Sequence, residues 1–306
     1  MIDPIRALES LEWALDYANN SDHNGIFRAS QKDFELASVE YLDDVRNLLD
    51  EIIMHENAEA GLEALNVSGA LASLFPEVHA MVKFGDGEWR HKDVWQHTKQ
   101  VVSQSVPKLE VRWAALFHDM GKVKTRTFST SGEVHFFGHA EVGSRMFDKL
   151  HRRVPIFTKE DNLRNEIRFL VHNHLRAGQY DKSWTDSAVR RFSKEMGDSL
   201  ENLMCLSSAD ITTKRPETKR KIMKNINELS FRIKELEALD AKLPILPKDI
   251  GDAIMSTFRI PPSRKIGEMK KTLEIAIESG EVKPGLHYNE YIKFIRLNPG
   301  RFRITD

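Results

Sequence analysis

Hydrophobic residues recur along most of this chain at the three- and four-residue spacing of amphipathic helices. The first stripe follows Pro4 and runs through Ile5, Leu8, Leu11 and Leu15, and a proline is well tolerated in a first helical turn. The same period predicts further helices at about 33–54, 57–66, 91–105, 109–119, 139–151, 160–174, 185–195, 198–209, 216–239, 248–257, 263–279 and 288–296. The predicted fold class is therefore all-α.

One segment departs from the helical period. In KTRTFSTSGEVHFFGH (124–139), a Ser-Thr-Ser-Gly turn separates Phe128 from the apolar run 134–137. Two short apolar stretches around such a turn are typical of a β-hairpin. We therefore expect one small hairpin inside a multi-helical core.

Shifts in composition divide the chain at two places, FGDGE (84–88) and LPILP (243–247). We predict an N-terminal helical segment over 1–84, a central domain over 85–235 and a C-terminal helical segment over 236–306.

Composition excludes several classes of protein. The chain has 306 residues, 41% of them hydrophobic, and its 45 Lys and Arg nearly balance its 46 Asp and Glu. No global basic field therefore indicates nucleic-acid binding, and any such surface must be local. One cysteine, Cys205, excludes an intramolecular disulfide and fits a reducing compartment. No signal peptide and no apolar run of ~18–20 residues is present, so we expect a cytoplasmic protein without a membrane partner.

Candidate chemistry begins at LFHDMGKVKTR (116–126), where His118 and Asp119 end an apolar helix. Helical period places four more polar side chains among core-facing residues, each on its own helix: His97, His139, His174 and Asp210. A buried unpaired carboxylate costs several kcal/mol. Five helices that each direct such a group inward are best explained by convergence on divalent cations, which imidazole nitrogens and carboxylate oxygens bind. A buried hydrogen-bond network is the alternative.

His172 lies two residues from His174 and therefore points to a different helix face. We assign His174 as the ligand and expect His172 at the surface or behind the ligands.

The order His97, His118-Asp119, Asp210 resembles the H…HD…D signature of HD-domain metal-dependent phosphohydrolases. His139 and His174 resemble the additional ligands of the variants that hold two metals. The resemblance implies a first ion on His97, His118, Asp119 and Asp210, with Asp119 bridging to a second ion on His139 and His174. The expected ions are divalent, namely Mn, Ni, Co, Mg or Fe.

The surrounding sequence resembles the body of bacterial CCA-adding tRNA nucleotidyltransferases that carry an HD domain. The similar stretches are DVWQHT (93–98), LFHDMGKVKTR (116–126), FFGHAEVGSRMF (136–147), LVHNHLR (170–176) and WTDSAVRRF (184–192). Residues 3–17 and 64–78 resemble the neck of that family and its turn into the body, and 260–282 resemble the tail. The catalytic head has no counterpart in this sequence, although Asp3 and Arg6 match part of its nucleotide-reading motif. We therefore expect no nucleotidyltransferase activity from this chain alone.

The resemblance and the clustered cations together predict the roles of individual residues. Asp119 and Lys122 are the candidate catalytic residues, and Lys122 is expected to clamp a phosphate. Further substrate contacts are expected from Lys122, Lys124, Arg126, Arg176 and Arg190, for which an ordinary solvated surface is the alternative.

The predicted function is a metal-dependent phosphohydrolase, a phosphodiesterase or phosphatase, with 2′,3′-cyclic or terminal phosphates of RNA or tRNA 3′ ends as expected substrates. One alternative is a non-catalytic tRNA-binding module, or a body subunit for a separate nucleotidyltransferase head protein. The other is a hydrolase of free or cyclic nucleotides.

Overall fold

The computed structural model describes residues 2–20, 25–82, 84, 93–157, 162–240 and 245–304. Its α-helices are α1 Pro4–Asn19, α2 Gln31–Glu40, α3 Leu42–Met54, α4 Ala58–Ser68, α5 Ala70–Leu74, α6 Pro76–His79, α7 Val94–Gln104, α8 Leu109–Phe117, α9 Lys122–Thr125, α10 His139–Arg153, α11 Asn162–Asn173, α12 Asp186–Met196, α13 Leu200–Ala209, α14 Pro216–Asp240, α15 Ile250–Phe258, α16 Arg264–Glu278 and α17 Tyr288–Leu297. Short 3-10 helices cover Ala177–Gln179 and Gly197–Ser199.

The strands of the described part form one antiparallel hairpin, β1 Thr127–Phe128 with β2 Val134–His135. Thr127 pairs with His135 and Phe128 pairs with Val134. The predicted all-α class, with a small hairpin between α9 and α10, is confirmed.

The chain divides into two compact units, residues 1–233 and 234–306. The three-part division stays a prediction, because residues 85–88 and 243–244 of its two boundaries lie outside the described residues. The first two residues of the predicted helix 91–105, and the first two of 160–174, lie outside them as well.

Local signals explain where the first helices begin. The side chain of Asp3 accepts a hydrogen bond from the backbone nitrogen of Ile5 at the start of α1, where Pro4 removes an N–H that no turn could use. Ser30 and Asp33 form a reciprocal capping box at the start of α2. These caps set the start of α1, which packs with α3 and α4, and the start of α2, which packs with α3 and α5.

One predicted helix is wrong. The stretch 33–54 folds as two helices, α2 and α3, separated at Tyr41, where φ is −132° and ψ is 40°. Buried side chains recur at three- and four-residue spacing on both sides of this break, at Phe34, Ala37, Val45 and Leu49. Because the apolar period continues across Tyr41, periodicity could not reveal a break of one residue.

Helix α8 lies at the centre of the first unit. Every residue from 111 to 121 is buried, and α8 contacts α3, α7, α11 and α13. A helix that is buried all round holds its ends in fixed positions. The polar residues that follow α8 are therefore delivered into the core.

The second unit has its own hydrophobic core. Helices α15, α16 and α17 bury Ile254, Leu273, Tyr291 and Ile295 against one another. The hydroxyl of Tyr291 accepts a hydrogen bond from the backbone nitrogen of Leu286. Among the residues that the structure describes, no helix has both the length and the apolar composition that crossing a bilayer requires.

Candidate metal centre

Helix ends bring the candidate ligands together. His118 and Asp119 follow α8 directly, His174 follows α11 and Asp210 follows α13. The C-terminal end of a helix carries partial negative charge from its unpaired carbonyls, which favours a cation. His139 is the first residue of α10, and His97 lies within α7. Three helix C-termini thus make this part of the core attractive to positive charge.

Asp119 lies between two groups of ligand atoms. Its Oδ2 is 3.3 Å from Nε2 of His97 and 3.3 Å from Nε2 of His118. Its Oδ1 is 3.5 Å from Nε2 of His139, which is itself 3.1 Å from Nε2 of His174. Two sets, His97–His118–Asp119 and Asp119–His139–His174, each place their ligand atoms within 4.8 Å of one another. One carboxylate therefore serves both sets.

Asp210 completes the first set. Its Oδ1 lies 3.0 Å from Nε2 of His97 and 3.5 Å from Nε2 of His118. The structure thus gathers all six predicted ligands in one place, on five helices or helix ends. Their roles as ligands remain a proposal.

Backbone carbonyls fix the tautomers of three rings. The Nδ1 atoms of His118, His139 and His174 lie 2.7 to 2.8 Å from the carbonyl oxygens three residues before them. A carbonyl only accepts, so each Nδ1 carries the hydrogen and a neutral ring has its lone pair on Nε2. The lone pairs of His139 and His174 then face each other across 3.1 Å. A cation between them removes this repulsion.

The donor set therefore fits a divalent ion. Unprotonated imidazole nitrogens and carboxylate oxygens are the ligands that such ions take, and a hydrogen bond on Nδ1 fixes a ligating ring in place. The buried neutral rings of the second set are prepared for this: burial and the charge of His118 lower the pKa of His174 to about 4. Burial also lowers the pKa of His139.

The first set holds positive charge even without a metal ion. Although burial opposes the charged form, the carboxylates of Asp119 and Asp210 raise the pKa of His118 to about 10. Burial would raise the pKa of Asp119, but the charges of His118 and Lys122 hold it well below its usual range. The buried carboxylate of Asp119 and the partly exposed one of Asp210 thus stabilise positive charge between them.

Lys122, the first residue of α9, reaches the shared carboxylate directly. Its Nζ donates to Oδ2 of Asp119 at 2.6 Å. Lys122 is thus a predicted substrate-binding cation that contacts one of the six candidate ligands. Its ammonium group can neutralise charge there in addition to any ion.

The other predicted cations have different surroundings. Lys124 and Arg126 are exposed near the hairpin, and Arg190 is exposed on α12. Arg176 forms an ion pair of 2.5 Å with Glu195 on α12. His172 is exposed, with Nδ1 3.3 Å from Oγ of Ser144.

Gly121 holds the two halves of the cluster together, which the sequence analysis missed. A Cβ at this position would lie 2.0 Å from the carbonyl oxygen of His139 and 2.8 Å from the nitrogen of Gly143. Only glycine allows the turn after Asp119 to pack backbone to backbone against α10. A glycine two residues after the HD pair was the available signal.

Two hydroxyl groups behind the ligands were also missed. Thr212 Oγ1 lies 2.8 Å from Nδ1 of His97, and Ser207 donates to the carbonyl of His174 at 3.2 Å. A cavity of about 490 Å³ opens beside them and is lined by His174, Asp210, Ile222 and Ile226. The candidate centre is therefore accessible to a ligand from this side.

Comparison with known proteins assigns part of the chain. The HD domain family matches residues 92–215. These residues form an HD domain. The match encloses all six candidate ligands and confirms the resemblance seen in the sequence. The HD domain and the His and Asp clusters together indicate divalent metal binding.

The chain is also homologous to tRNA nucleotidyltransferases over most of its length. It is 28% identical to the CC-adding tRNA nucleotidyltransferase of Thermus thermophilus over 246 residues, 78% of this chain and 53% of that protein. It is 26% identical to the A-adding tRNA nucleotidyltransferase of Deinococcus radiodurans over 78% of this chain and 55% of that protein. A Multifunctional CCA protein of Pseudomonas paraeruginosa is 32% identical over 34% of this chain and 26% of that protein. The chain thus spans about half the length of the first two relatives.

Proposed function

We propose that this chain is a metal-dependent phosphohydrolase that acts in the cytoplasm on phosphate esters at RNA or tRNA 3′ ends, either 2′,3′-cyclic or terminal phosphates. The observation that carries the proposal is the position of Asp119. Its two oxygens face two different sets of ligand atoms, at 3.3 Å and 3.5 Å, so this one carboxylate would serve both sets if each held an ion.

Each set has a separate role in holding the ions. His97, His118, Asp119 and Asp210 would hold one ion, and Asp119, His139 and His174 the other. Divalent ions held there would supply Lewis acidity, which lowers the pKa of a bound water molecule and polarises a phosphate ester. Manganese, nickel, cobalt and iron fit a mixed nitrogen and oxygen donor set, whereas magnesium would fit where oxygen ligands dominate.

Lys122 would act on the phosphate together with Asp119. Its ammonium group, 2.6 Å from Oδ2 of Asp119, would lie close to the oxygens of a phosphate bound at the two sets. A fixed cation at such a place stabilises the transition state more than the substrate. The cavity beside His174 and Asp210 would admit the ester.

The test is a screen of the purified protein with each metal on RNA that ends in a 2′,3′-cyclic phosphate or a 3′-phosphate. Asp119→Ala should reduce turnover to background, while unfolding stays cooperative. Asp148→Ala, which removes a carboxylate that α10 pairs with Arg164 and Arg168, should keep wild-type rates. Wild-type turnover by Asp119→Ala would exclude the proposed centre.

A non-catalytic tRNA-binding module is the second candidate, because the names of the first two relatives give tRNA as what they act on. A body subunit that serves a separate head protein would match the same names. Asp3 and Arg6 do not decide this question. Asp3 caps α1, and Arg6 donates to the carbonyl of Arg28, so both have structural roles. tRNA affinity in metal-free protein, with no hydrolysis under any metal, would favour the module.

Hydrolysis of free or cyclic nucleotides is the third candidate. It would use the same ligands and the same cavity, but it needs no surface for an RNA chain. A comparison of kcat/KM between 2′,3′-cyclic mononucleotides and RNA with the same 3′ end separates the two substrate classes.

A further inference from the structure

A continuous row of aromatic rings and cations runs between the candidate metal centre and the hairpin. The ammonium group of Lys122, which contacts Asp119, lies 5.6 Å from the ring centre of Phe136. That ring lies 6.5 Å from the ring of Phe84. Arg126 then lies over two rings, 4.6 Å from Phe84 and 5.6 Å from Phe128. We name these five residues the aromatic row: Lys122, Phe136, Phe84, Arg126 and Phe128.

The register of the hairpin gives the row one face. Phe128 pairs with Val134, and Thr127 pairs with His135. Side chains alternate between the two faces of a strand and paired residues share a face. Phe128 therefore lies on the opposite face from His135, whose ring stacks on Phe137 at 5.0 Å. The hairpin thus offers an internal control, since Phe137 is as aromatic as Phe128 but belongs to the other face.

Exposure and charge indicate what the row can bind. The outer ring, Phe128, is 62% exposed, and Lys124 and Arg126 are exposed beside it. Residues 122–138 contain three Lys or Arg and one acidic residue, Glu133. Neither Lys124 nor Arg126 has a carboxylate within ion-pair distance among the residues that the structure describes. The surface therefore combines flat apolar rings with available positive charge.

Unpaired nucleotides match this combination. Single-stranded nucleic acid presents bases that stack on aromatic rings and phosphates that bind cations, in alternation. A duplex hides the faces of its bases, and a mononucleotide is too short to use a row of rings. The inner end of the row is also joined to the centre through the backbone, because the carbonyl of Phe136 accepts from Nδ1 of the candidate ligand His139 at 2.8 Å.

We infer that the aromatic row binds the single-stranded 3′ end of an RNA, with bases on Phe128 and Phe84 and phosphates at Arg126 and Lys122, and so directs the terminal phosphate to the metal centre. The inference rests on the proposed function for its substrate class. It goes further in naming an unpaired strand as the preferred form of that substrate and Phe128 as a residue that determines specificity.

Binding of a fluorescein-labelled single-stranded RNA with a 3′-phosphate, followed by anisotropy in the full chain, tests the row. Phe128→Ala should weaken binding about 10-fold, the loss of roughly one stacked base, and Phe128→Trp should restore it. Phe137→Ala should stay within about two-fold of wild type. A blunt duplex of the same sequence should bind more weakly than the single strand, with little response to Phe128→Ala.

Three results would overturn the inference. The first is unchanged RNA binding by Phe128→Ala, and the second is an equal loss of RNA binding in Phe137→Ala. The third is a change in the oligomeric state of the RNA-free protein caused by Phe128→Ala. The last would make this face a contact between copies of the chain. Hydrolysis of bis(p-nitrophenyl) phosphate, which is too small to occupy the row, tests the metal chemistry separately. Phe128-dependent RNA binding without that hydrolysis would support the row and reject the phosphohydrolase.

Discussion

Helix α7 supplies residues to two buried polar clusters that differ in one respect. Lys99 donates to Glu63 at 2.6 Å and Trp95 donates to the same carboxylate at 3.0 Å. In that cluster each of these contacts joins a donor to an acceptor. Two residues from Trp95, His97 enters the metal centre, where the unprotonated Nε2 atoms of His139 and His174 face each other at 3.1 Å. Burial and polarity are common to both, so the direction of the hydrogen bonds is what marks a cation site.

A substitution at Gly121, where the backbone contacts α10, should cause the largest loss of stability and of hydrolysis. Gly121→Ala places a Cβ against the carbonyl of His139 and forces α10 away from Asp119. We expect a loss of about 3 kcal/mol in the free energy of unfolding, the upper range for overpacking, and loss of hydrolysis. The measurement is urea unfolding followed by circular dichroism.

Gly267→Ala is the matched control, because nothing lies within 4 Å of a Cβ at that helical position. It should be neutral or slightly stabilising. If Gly121→Ala were equally harmless, the close approach of the two backbones would not be what positions Asp119 against His139.

Sequence reasoning reached the metal centre because the helical period turned each candidate ligand toward the core. His97, His174 and Asp210 each follow an apolar stripe of their own helix, so their direction was readable. The carbonyl partner of each Nδ1, the packing of Gly121 and the break at Tyr41 were not readable. The carbonyl partners lie three residues before each ring, and the contact of Gly121 is made with the backbone of α10. The break at Tyr41 rests on one residue, and none of these features leaves a periodic trace.

The Glu63 cluster should respond to mutation with a smaller effect that is independent of metal. Glu63→Ala leaves Lys99, which is 5% exposed, without its carboxylate. We expect a loss of about 2 kcal/mol, below the ~3–5 kcal/mol of a fully buried pair because the side chain of Glu63 is 36% exposed. Thermal unfolding with and without Mn²⁺ checks it, and Glu59→Ala, an exposed position on α4, should have almost no effect.

The carboxylate of Glu63 should also make the stability of the protein depend on pH. Burial would raise the pKa of Glu63, but hydrogen bonds from Lys99, Asn66 and Trp95 hold it below its ordinary value of 4.5. Because the pKa of Glu63 is lowered in the folded state, its carboxylate contributes fully to the free energy of unfolding above pH 4.5. That contribution is lost as the pH falls through the folded-state pKa. The difference in Tm between wild type and Glu63→Ala should therefore narrow in acid. A constant difference down to about pH 3 would contradict this.

His174→Gln should give the smallest effect in metal-free protein. The substitution removes one of two lone pairs that face each other and supplies an amide N–H toward His139. We expect the free energy of unfolding to change by less than about 1 kcal/mol in EDTA. In the wild type, Mn²⁺ at 100 times its Kd should add about 2.7 kcal/mol per ion, and the variant should lose part of that gain. An equally large gain in the variant would show that His174 is not a ligand.

Equilibrium dialysis against Mn²⁺, with metal analysis of the protein, tests the central claim most directly. The wild type should bind two ions per chain at saturation, His174→Gln one at most, and Asp119→Ala fewer than the wild type, while Glu63→Ala should bind as the wild type does. A wild-type chain that holds no ion at saturating Mn²⁺, Ni²⁺, Co²⁺, Fe²⁺ and Mg²⁺ would contradict the assignment. The six clustered side chains would then be a second buried hydrogen-bond network.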